Sequence, residues 1–427
     1  MSVVAITVVA TSAIRPADLA RACDTCRCEP VFLTSAGLMD PAERDEYLAF
    51  GPVLEYDPAD PGEVVPRLRE HRPETILTFS EAAIPATAEL AERLGLPYHD
   101  RETVTVLTDK WAQRRRLAER GVDAVWSAVV TDSDQARRVL AARPGPVVVK
   151  PRRSQSSRDT FLVETGELPP GVRPSPDSPF VIEEFLPGRG GTEFGDYVSV
   201  ESLVSGGEPV TMGVTGKFPL LPPFREQGQF VPANLGEKEV AAAADLASAA
   251  VRALGVRSGL THTEIKLTPD GPRVIEVNGR IGGFLGDLYQ RATGQDLLAL
   301  GLAAACGRPV TAETPRVTGG VHFQYSNQPP VSGGVLREIT GADLVRRESG
   351  VAGYTVRFGP GTERPPGVMT FFVDLLRGEA ADHQAMLALI DRCLSHLRFT
   401  WERPGGTVTD WRAGRDGLYR TPEKGQR

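Results

Sequence analysis

The first hundred residues alternate short apolar runs with segments of helical periodicity. The apolar runs are VVAITVV, PVFLTS, VLEYD and ETILTFS, and the helical segments between them are RPADLARAC, DPAERDEYLAF and PGEVVPRLREH. EAAIPATAELAERLG follows the fourth run with helical spacing and ends at a glycine. This alternation predicts a parallel sheet with helices on both faces. Ligands of such sheets bind at the carboxyl ends of the strands, so we expect the TFSE end of the fourth strand to face a site.

Beyond Thr108 the pattern changes to helices mixed with hairpin-like strands. A basic helix, DKWAQRRRLAERG, precedes the strands WSAVV, VVVK and FVIEEF and a long hairpin, DYVSVESLVSGGEPVTMGVTGKF, that turns at Ser-Gly-Gly. KEVAAAADLASAAVRALG is an amphipathic helix that ends at Gly255. From about residue 309 the chain has the pattern of a second α+β unit, and we expect its last ten residues to be disordered.

The stretch LTHTEIKLTPDGPRVIEVNGRIGG, residues 260–283, combines hairpin periodicity with an unusual set of polar side chains. Residues of equal parity share one face of a strand, so Glu276, Asn278 and Arg280 lie together. Across the turn, Glu264 can lie on that face, opposite or diagonal to Glu276. Two carboxylates and an amide oxygen suit Mg²⁺, and a cation between them relieves their repulsion. Glu264, Glu276 and Asn278 are therefore candidate metal ligands; a solvated hairpin face is the competing interpretation.

The residues after these ligands are candidates for substrate binding. Arg280 lies past the metal ligands, where its guanidinium can hold a carboxylate or phosphate through two hydrogen bonds. Gly282 and Gly283 allow bare backbone N–H groups to approach an anion. Phe284 is expected at the start of the next helix, where it can limit the size of a substrate side chain; a core aromatic is the plainer interpretation.

The bulk composition excludes several classes of protein. At 427 residues the chain is too long for one compact core, and 41% hydrophobic and 24% charged residues are ordinary for an enzyme. A net charge of −7 argues against a general nucleic-acid binder. No apolar run approaches the ~20 residues that span a bilayer, so we expect a cytoplasmic protein. The cluster CDTCRC lacks a second pair at the spacing of a zinc site, and we expect reduced thiols.

The hairpin resembles the metal-binding signature of the ATP-grasp carboxylate–amine ligases, in which an E-x-N-x-R strand follows a first glutamate. The resemblance covers about Val3–Gly307, and H-T-E-I-K with E-V-N-G-R-I-G-G is most similar to the bacterial L-amino-acid ligases that form dipeptides. It implies an α/β and α+β multidomain chain with the ATP-grasp fold. The expected parts are an N-terminal parallel α/β domain at 1–107, an ATP-grasp domain at 108–308 with a mobile lid subdomain at about 125–185, and a C-terminal α+β unit with a disordered tail at 309–427.

Two lysines and one strand are candidates for nucleotide binding. Lys110 begins the basic helix and Lys150 ends the strand VVVK, and two such cations can clamp a polyphosphate. In the family, matching lysines contact the nucleotide phosphates. VIEEFLPG resembles the adenine hinge of the family, which implies that Glu183 faces the adenine amino group while Glu184 and Leu186 provide backbone contacts.

The loop after Lys150, PRRSQSSRD, departs from the family pattern. Family members usually have a glycine-rich lid loop that covers the phosphates, and this loop contains no glycine. Its serine hydroxyls and three arginines are therefore the candidates for binding phosphate.

Three further positions are suggested by the resemblance alone. Asp196, in GDYVSVE, falls near an acidic position that meets the ribose in many members. Lys217 resembles a third basic residue near the phosphates or the acyl group. FREQGQFVPANL resembles the loop F-x-E-x-G-x-x-x-P of amino-acid-ligating members, so Glu226 is a candidate for recognising an ammonium group. Lys217 and Glu226, together with Arg280, are the candidate catalytic residues.

The resemblance implies a ligase that uses ATP and Mg²⁺, with Mn²⁺ as an alternative metal. It would phosphorylate a substrate carboxylate, expected to be that of an amino acid, and an amine would then form an amide or dipeptide with release of ADP and phosphate. The expected partners are a small-molecule carboxylate and an amine, without nucleic acid or membrane, and a homodimer is compatible with this activity. The Ala-, Arg- and Gly-rich composition points weakly to natural-product biosynthesis.

Two alternatives stay open. One is an ATP-grasp carboxylase of the biotin carboxylase or purine type, and the other is a non-catalytic nucleotide-binding regulator. The FREQGQFVP loop favours the amino-acid ligases over the first, and the complete acid–amide–arginine set argues against the second.

Overall fold

The computed structural model describes residues 1–10, 12–310 and 313–420, except for the side chains of residues 419 and 420. Internal contacts divide the chain into two compact units. Unit 1 comprises Met1–Val125, Ser199–Val214 and Leu235–Arg316, and unit 2 comprises Trp126–Val198, Thr215–Asn234 and the chain from Val317 onward. The predicted three-part division, at residues 107/108 and 308/309, stays a prediction.

The elements are numbered along the chain. The strands are β1 (Ser2–Thr7), β2 (Cys28–Ser35), β3 (Val53–Tyr56), β4 (Thr75–Thr78), β5 (Ser127–Val130), β6 (Val147–Pro151), β7 (Phe161–Val163), β8 (Phe180–Glu184), β9 (Tyr197–Ser205), β10 (Glu208–Lys217), β11 (Gly228–Val231), β12 (Gly259–Thr268), β13 (Gly271–Asn278), β14 (Val321–Tyr325), β15 (Gly334–Thr340), β16 (Val351–Val356), β17 (Glu363–Arg364), β18 (Asp374–Ala380), β19 (Arg398–Glu402), β20 (Val408–Gly414) and β21 (Gly417–Arg420). The α-helices are α1 (Pro16–Thr25), α2 (Pro41–Leu48), α3 (Val65–Glu70), α4 (Ile84–Leu94), α5 (Arg101–Thr108), α6 (Lys110–Glu119), α7 (Ser133–Ala142), α8 (Glu237–Ala253), α9 (Leu285–Thr293), α10 (Leu297–Ala305), α11 (Ala342–Arg347) and α12 (His383–His396).

Unit 1 begins with the parallel sheet that the sequence predicts. Its four strands lie in the order β3-β2-β1-β4, and every pair is parallel. Leu33, Ile76 and Leu90 are buried in the core between the sheet and its helices. The predicted N-terminal parallel α/β architecture is therefore confirmed.

Helix α6 is fixed to strand β13 by buried polar contacts within unit 1. The Asp109 carboxylate caps the helix by accepting hydrogen bonds from the backbone N–H groups of Trp111 and Ala112. The Gln113 amide donates to Val277 O at 2.9 Å and accepts from Val277 N at 2.7 Å. Because Lys110 is the first residue of this helix, these contacts place its side chain beside the hairpin.

The β12–β13 hairpin has the register on which the candidate metal site depends. Glu264 lies directly opposite Glu276, and His262 lies opposite Asn278. The register shifts immediately afterwards, between Glu264 and Ile265, as in a β-bulge. Bulges re-aim side chains and often occur beside functional sites.

Unit 2 contains an antiparallel four-stranded sheet and a larger C-terminal core. The first sheet has the order β5-β8-β6-β7, and helix α7 packs on it. In the C-terminal part, strands β11, β14, β18 and β16 lie side by side, and a second sheet has the order β17-β15-β19-β20-β21. Buried side chains around α12 fill this core, among them Phe323, Ile390 and Trp401.

The expected disordered tail was placed on the last ten residues, and part of that prediction is wrong. Leu418 lies in β21, whose backbone extends to Arg420 and pairs with β20, because the ladder supplies backbone hydrogen bonds that a tail would lack. Residues 421–427 lie outside the described part of the chain.

Gly228 explains the glycine of the F-x-E-x-G loop. Its φ is +148°, and a Cβ built there would lie 2.1 Å from the backbone oxygen of Gln324 on the paired strand. A side chain would therefore meet both backbone strain and a collision with a backbone atom that cannot rotate away.

We expect Gly228→Ala to lower the free energy of unfolding by about 1–3 kcal/mol, since this is the usual cost of forcing extra volume into a packed structure. Gly359→Ala is the matched control, because its Cβ would meet nothing within 4 Å and its φ is not in the left-handed region. Urea denaturation of both variants measures the difference. Equal midpoints would contradict the close approach of β11 and β14.

Candidate functional site

The acidic pair of the hairpin is neutralised by a lysine from helix α6. The Lys110 ammonium donates a short hydrogen bond to a carboxylate oxygen of Glu276, and both side chains are largely buried. Burial opposes the charged ammonium, but the Glu276 and Glu81 carboxylates outweigh it and raise the pKa of Lys110 above its ordinary value. Lys110 therefore stays charged and balances part of the negative charge on the hairpin.

A third carboxylate, Glu81, comes from the segment that follows strand β4. Its Oε2 lies 3.4 Å from Nη2 of Arg280, whose Nη1 donates to Ile281 O at 3.0 Å. Burial and then repulsion from Glu276 raise the pKa of Glu81 above its ordinary value, against the effect of Arg280 and Lys110. No sequence pattern singled out Glu81, although the TFSE strand end that contains it was expected to face a site.

A buried histidine supports Glu264 from the opposite side. The Nδ1 atom of His262 lies 3.0 and 2.9 Å from the two carboxylate oxygens of Glu201, and Nε2 lies 3.5 Å from Oε1 of Glu264. An ionised carboxylate only accepts hydrogen bonds, so Nδ1 donates to Glu201. Glu201 is on β9, some sixty residues before the hairpin, and no sequence motif identified it.

The glycines after the hairpin have different surroundings. Gly282 is buried, and a Cβ there would lie 2.6 Å from Nδ1 of His262, so the residue leaves room for the imidazole. Gly283 is exposed, and a Cβ would come no closer than 3.6 Å to Ala13. Phe284 is the N-cap of α9, half-buried, with a left-handed φ of +60°. Such backbone strain in a bulky residue often marks a functional position. Phe284 is not fully buried, so it is not an ordinary core aromatic.

The candidate metal ligands fit Mg²⁺. Among the described residues, no three His, Cys, Asp or Glu side chains are grouped so that they could hold a metal by themselves. Mg²⁺ does not require such a group, because it is usually bound by one or two carboxylates together with substrate phosphates. Glu264 and Glu276 are directly opposed carboxylates, which repel each other unless a cation lies nearby. The Asn278 amide is buried beside them, with Oδ1 3.5 Å from Nη2 of Arg280.

Unit 2 contains a second set of the predicted residues. Lys150 on β6 and Glu183 on β8 form a buried ion pair, with Nζ 2.6 Å from Oε1. Glu184 N donates to Trp126 O at 3.0 Å, and the Glu184 carboxylate lies 3.5 Å from Arg143. The structure therefore joins Lys150 to the strand that was predicted to be the adenine hinge.

Lys217, Asp196 and Leu186 are further predicted residues that lie in unit 2. Lys217 is 2% exposed and donates to Oε1 of Gln229 at 3.0 Å, with its ammonium 6.0 Å from the ring centre of Tyr197. Within the described residues it has no carboxylate partner, which is unusual for a buried ammonium. Asp196 packs against Gly188, where a Cβ would collide with its carboxylate, and Leu186 is buried.

The backbone of Glu226 is fixed by hydrogen bonds of both its N–H and its carbonyl group. Its N–H donates to Oγ1 of Thr370 at 3.0 Å, and its carbonyl accepts from Nε2 of Gln328 at 2.5 Å. The F-x-E-x-G loop is thus held in place by the C-terminal part of unit 2.

Comparison with known proteins identifies one domain and the fold. The family model of the ATP-grasp domain matches residues 173–287. The crystal structure of an L-amino acid ligase from Bacillus licheniformis has a TM-score of 0.76 at 22% identity, and the alignment covers 93% of this chain and 98% of that one. Residues 173–287 therefore match the ATP-grasp domain, and the chain shares the fold of this ligase structure. The predicted ATP-grasp fold is therefore confirmed.

Other relatives differ in their reactions. Alanine–anticapsin ligase of Bacillus subtilis is 30% identical over 234 residues, which is 49% of this chain and 49% of that protein. This ATP-grasp chain thus spans about half the length of the curated relative. The biotin carboxylase domain of the 2-oxoglutarate carboxylase of Hydrogenobacter thermophilus, solved with MgADP and bicarbonate, has a TM-score of 0.67 at 14% identity, covering 95% of this chain and 91% of that one. The fold alone does not separate these activities. In the described part of the chain, no helix has the length and apolarity needed to span a membrane.

We expect Glu201→Ala to lower the free energy of unfolding by about 1–3 kcal/mol, because it leaves the buried Nδ1–H of His262 without its acceptor. Glu201→Gln keeps an acceptor oxygen for His262, so its free energy of unfolding should fall less. Glu208→Ala removes an exposed glutamate that is paired with Arg252, and it should change stability by less than about 1 kcal/mol. Chemical denaturation compares the three variants. An equal loss in Glu201→Ala and Glu208→Ala would contradict a buried Glu201–His262 pair.

Proposed function

We propose that this ATP-grasp protein is an ATP-dependent carboxylate–amine ligase. It activates the carboxylate of an amino acid as an acyl phosphate and joins it to an amine, forming an amide or dipeptide. The observation that carries the proposal is the opposed pair Glu264 and Glu276, which is partly buried beside Lys110 and Arg280. A solvated hairpin face would not need the charge compensation that Lys110 and Arg280 supply here.

The unit 1 residues would bind metal and substrate carboxylate. Glu264, Glu276 and Asn278 would hold Mg²⁺, with Mn²⁺ as an alternative, and the ion would neutralise negative charge on the transferred phosphoryl group. Arg280 offers a guanidinium that can hold the carboxylate, or the acyl phosphate that it becomes, through two hydrogen bonds. In the structure the Glu81 carboxylate lies 3.4 Å from Nη2 of Arg280. We therefore expect the substrate carboxylate to compete with Glu81 for this guanidinium.

Neighbouring residues would complete the substrate pocket. The exposed backbone of Gly283 would allow its N–H group to approach the anion, and Gly282 would contribute by leaving room for the His262 imidazole. Phe284, with its left-handed φ, would limit the size of the accepted side chain.

The remaining assignments concern the nucleotide and the amine. Lys110 and Lys150 would contact phosphates, and Asp196 would meet the ribose. The adenine would be bound by Glu183 and by the backbone of Glu184 and Leu186. Lys217, a buried ammonium whose described partners are neutral, would stabilise a phosphate or acyl-phosphate oxygen. Glu226 would recognise the ammonium group of an amino acid.

The chemical steps need no covalent intermediate on the protein. A carboxylate oxygen of the first substrate attacks the terminal phosphorus of ATP, and ADP leaves. The amine nitrogen of the second substrate then attacks the acyl carbon, phosphate leaves, and the nitrogen loses a proton. Catalysis would rest on the positioning of the reactants and on charge neutralisation.

Amino acids are the proposed substrates because of two independent similarities. The relative from Bacillus subtilis is an alanine–anticapsin ligase, and the structural neighbour from Bacillus licheniformis is an L-amino acid ligase. The F-x-E-x-G loop, whose glycine is required by the close backbone contact at Gln324, is the feature of this chain that agrees with them. Synthesis of a natural product is the biological role that we propose.

A carboxylase is the second candidate, because a biotin carboxylase domain shares the fold. The two are separated by incubating the protein with ATP and Mg²⁺ and either a panel of amino acids, singly and in pairs, or bicarbonate. We expect ADP release that depends on amino acids, and product masses equal to two substrates less one water. ADP release that depends on bicarbonate would indicate a carboxylase, and the absence of ADP release in both arms would indicate a regulator.

We expect Glu276→Gln to reduce amino-acid-dependent ADP release by about 100-fold or more, since it removes one of the two carboxylates that would hold the metal ion at the transferred phosphoryl group. Glu208→Gln, an exposed glutamate of β10, is the control and should retain wild-type activity. Calorimetry gives a second readout, in which binding of MgATP should weaken more than binding of ATP without metal. Wild-type turnover in Glu276→Gln would overturn the metal assignment.

A further inference from the structure

The loop between β6 and β7 has an unusual backbone for a segment without glycine. Ser156, Ser157 and Asp159 all have φ between +51° and +57°. Each such residue is strained by about 1–3 kcal/mol, and the conformation persists only where the surroundings enforce it. The chain therefore adopts without glycine a shape that glycine normally provides.

The C-terminal part of the same unit holds this loop. Thr370 N donates to Ser156 O at 2.8 Å, and Asp159 N donates to Val368 O at 2.9 Å. These two bonds fix the loop on either side of Arg158. Thr370 also accepts the backbone hydrogen bond of Glu226, so one residue contacts both the lid loop and the F-x-E-x-G loop.

A second arginine lies next to this anchored segment. The guanidinium carbon of Arg364 is 3.6 Å from the ring centre of Phe371, and that ring stacks on Phe358 with centres 4.3 Å apart. Phe371 N donates to Oε1 of Gln328 at 2.7 Å. The ring that carries Arg364 is therefore fixed, and so is the guanidinium above it.

The two arginines are held by one short segment, Arg158 through the hydrogen bonds of its neighbours to Val368 and Thr370, and Arg364 over the ring of Phe371. Partial burial and then the charge of Arg158 lower the pKa of Arg364 below its ordinary value. Within the described residues, neither guanidinium forms an ion pair, although Asp159 and Glu363 are their neighbours in sequence. Two neighbouring cations without a carboxylate repel each other, and a bound anion would relieve that repulsion.

We propose that Arg158 and Arg364 form a binding site for an oxyanion, a phosphate or a carboxylate, in which side-chain guanidinium groups replace the backbone N–H groups of a glycine-rich lid. Two planar forks can bind such a group through several charge-assisted hydrogen bonds. The existence of the site does not depend on the proposed function. Only the source of the anion does, and that source is either a nucleotide phosphate or the carboxylate of an amino-acid substrate.

The variants Arg158→Gln and Arg364→Gln test the site, with Arg364→Lys as the conservative change. Arg403→Gln is the matched control. The guanidinium carbon of Arg403 lies 5.5 Å from the ring centre of Trp411 in the same unit, so this variant also removes one positive charge and one contact with an aromatic ring. Calorimetry measures binding of inorganic triphosphate and of succinate at two salt concentrations. Kinetics measure KM for ATP and for the amino acid.

Each glutamine variant should weaken binding of one probe by about tenfold, the loss expected for a charge-assisted contact, and should flatten its salt dependence. Arg364→Lys should recover only part of the affinity, and Arg403→Gln should bind like wild type. Loss of triphosphate binding with a raised KM for ATP identifies the nucleotide phosphate as the source. Loss of succinate binding with a raised KM for the amino acid identifies the substrate carboxylate.

Unchanged affinity for both probes in Arg158→Gln and Arg364→Gln would overturn the inference, as would a wild-type protein that binds neither probe. Failure of the proposed function has a different signature, namely a wild-type protein that releases no ADP with any amino acid. In that case the probe titrations still decide whether the two arginines bind an anion.

Discussion

The opposition of Glu264 and Glu276 across the β12–β13 hairpin is the constraint on which the surrounding part of unit 1 depends. Like charges placed directly opposite destabilise a sheet, so the fold must bring cations to this face. Lys110 arrives through α6, which buried Gln113 ties to the hairpin backbone. Burial, and then the excess of carboxylate, raise the pKa of Glu81 above its ordinary value. Such an arrangement is costly as a structural element and useful as a site for a divalent cation and a phosphate.

The contacts of the candidate site could be predicted from the sequence only where the contacting residues are close together in the chain. The hairpin face was predictable because period-two alternation places Glu276 and Asn278 on one side of β13, which ends two residues before Arg280. The role of Glu201 was not predictable, because a glutamate within a buried strand has no local sequence signature. Its role depends on a contact with His262, about sixty residues away. The pairing of Lys150 with Glu183 was also missed, although each residue had been singled out, since register between two separate strands is not a local property.

The lid loop shows a different limit of sequence reasoning. The absence of glycine from PRRSQSSRD predicted chemistry other than that of a glycine-rich loop, but not the left-handed backbone of Ser156, Ser157 and Asp159. That backbone is imposed by tertiary contacts with residues 368–370, which overcome the local preference of serine. The fold itself is shared with a biotin carboxylase domain as well as with an L-amino acid ligase, so the function must be argued from the side chains.

The central claim is that a substrate carboxylate is activated by direct phosphorylation. It is tested most directly by supplying the accepted amino acid with both carboxylate oxygens labelled with ¹⁸O and analysing the released phosphate by mass spectrometry. The account predicts one ¹⁸O atom in each phosphate formed with the amide product, because the carboxylate oxygen that attacks phosphorus leaves with it. Unlabelled phosphate, or label found in AMP, would contradict the acyl-phosphate pathway.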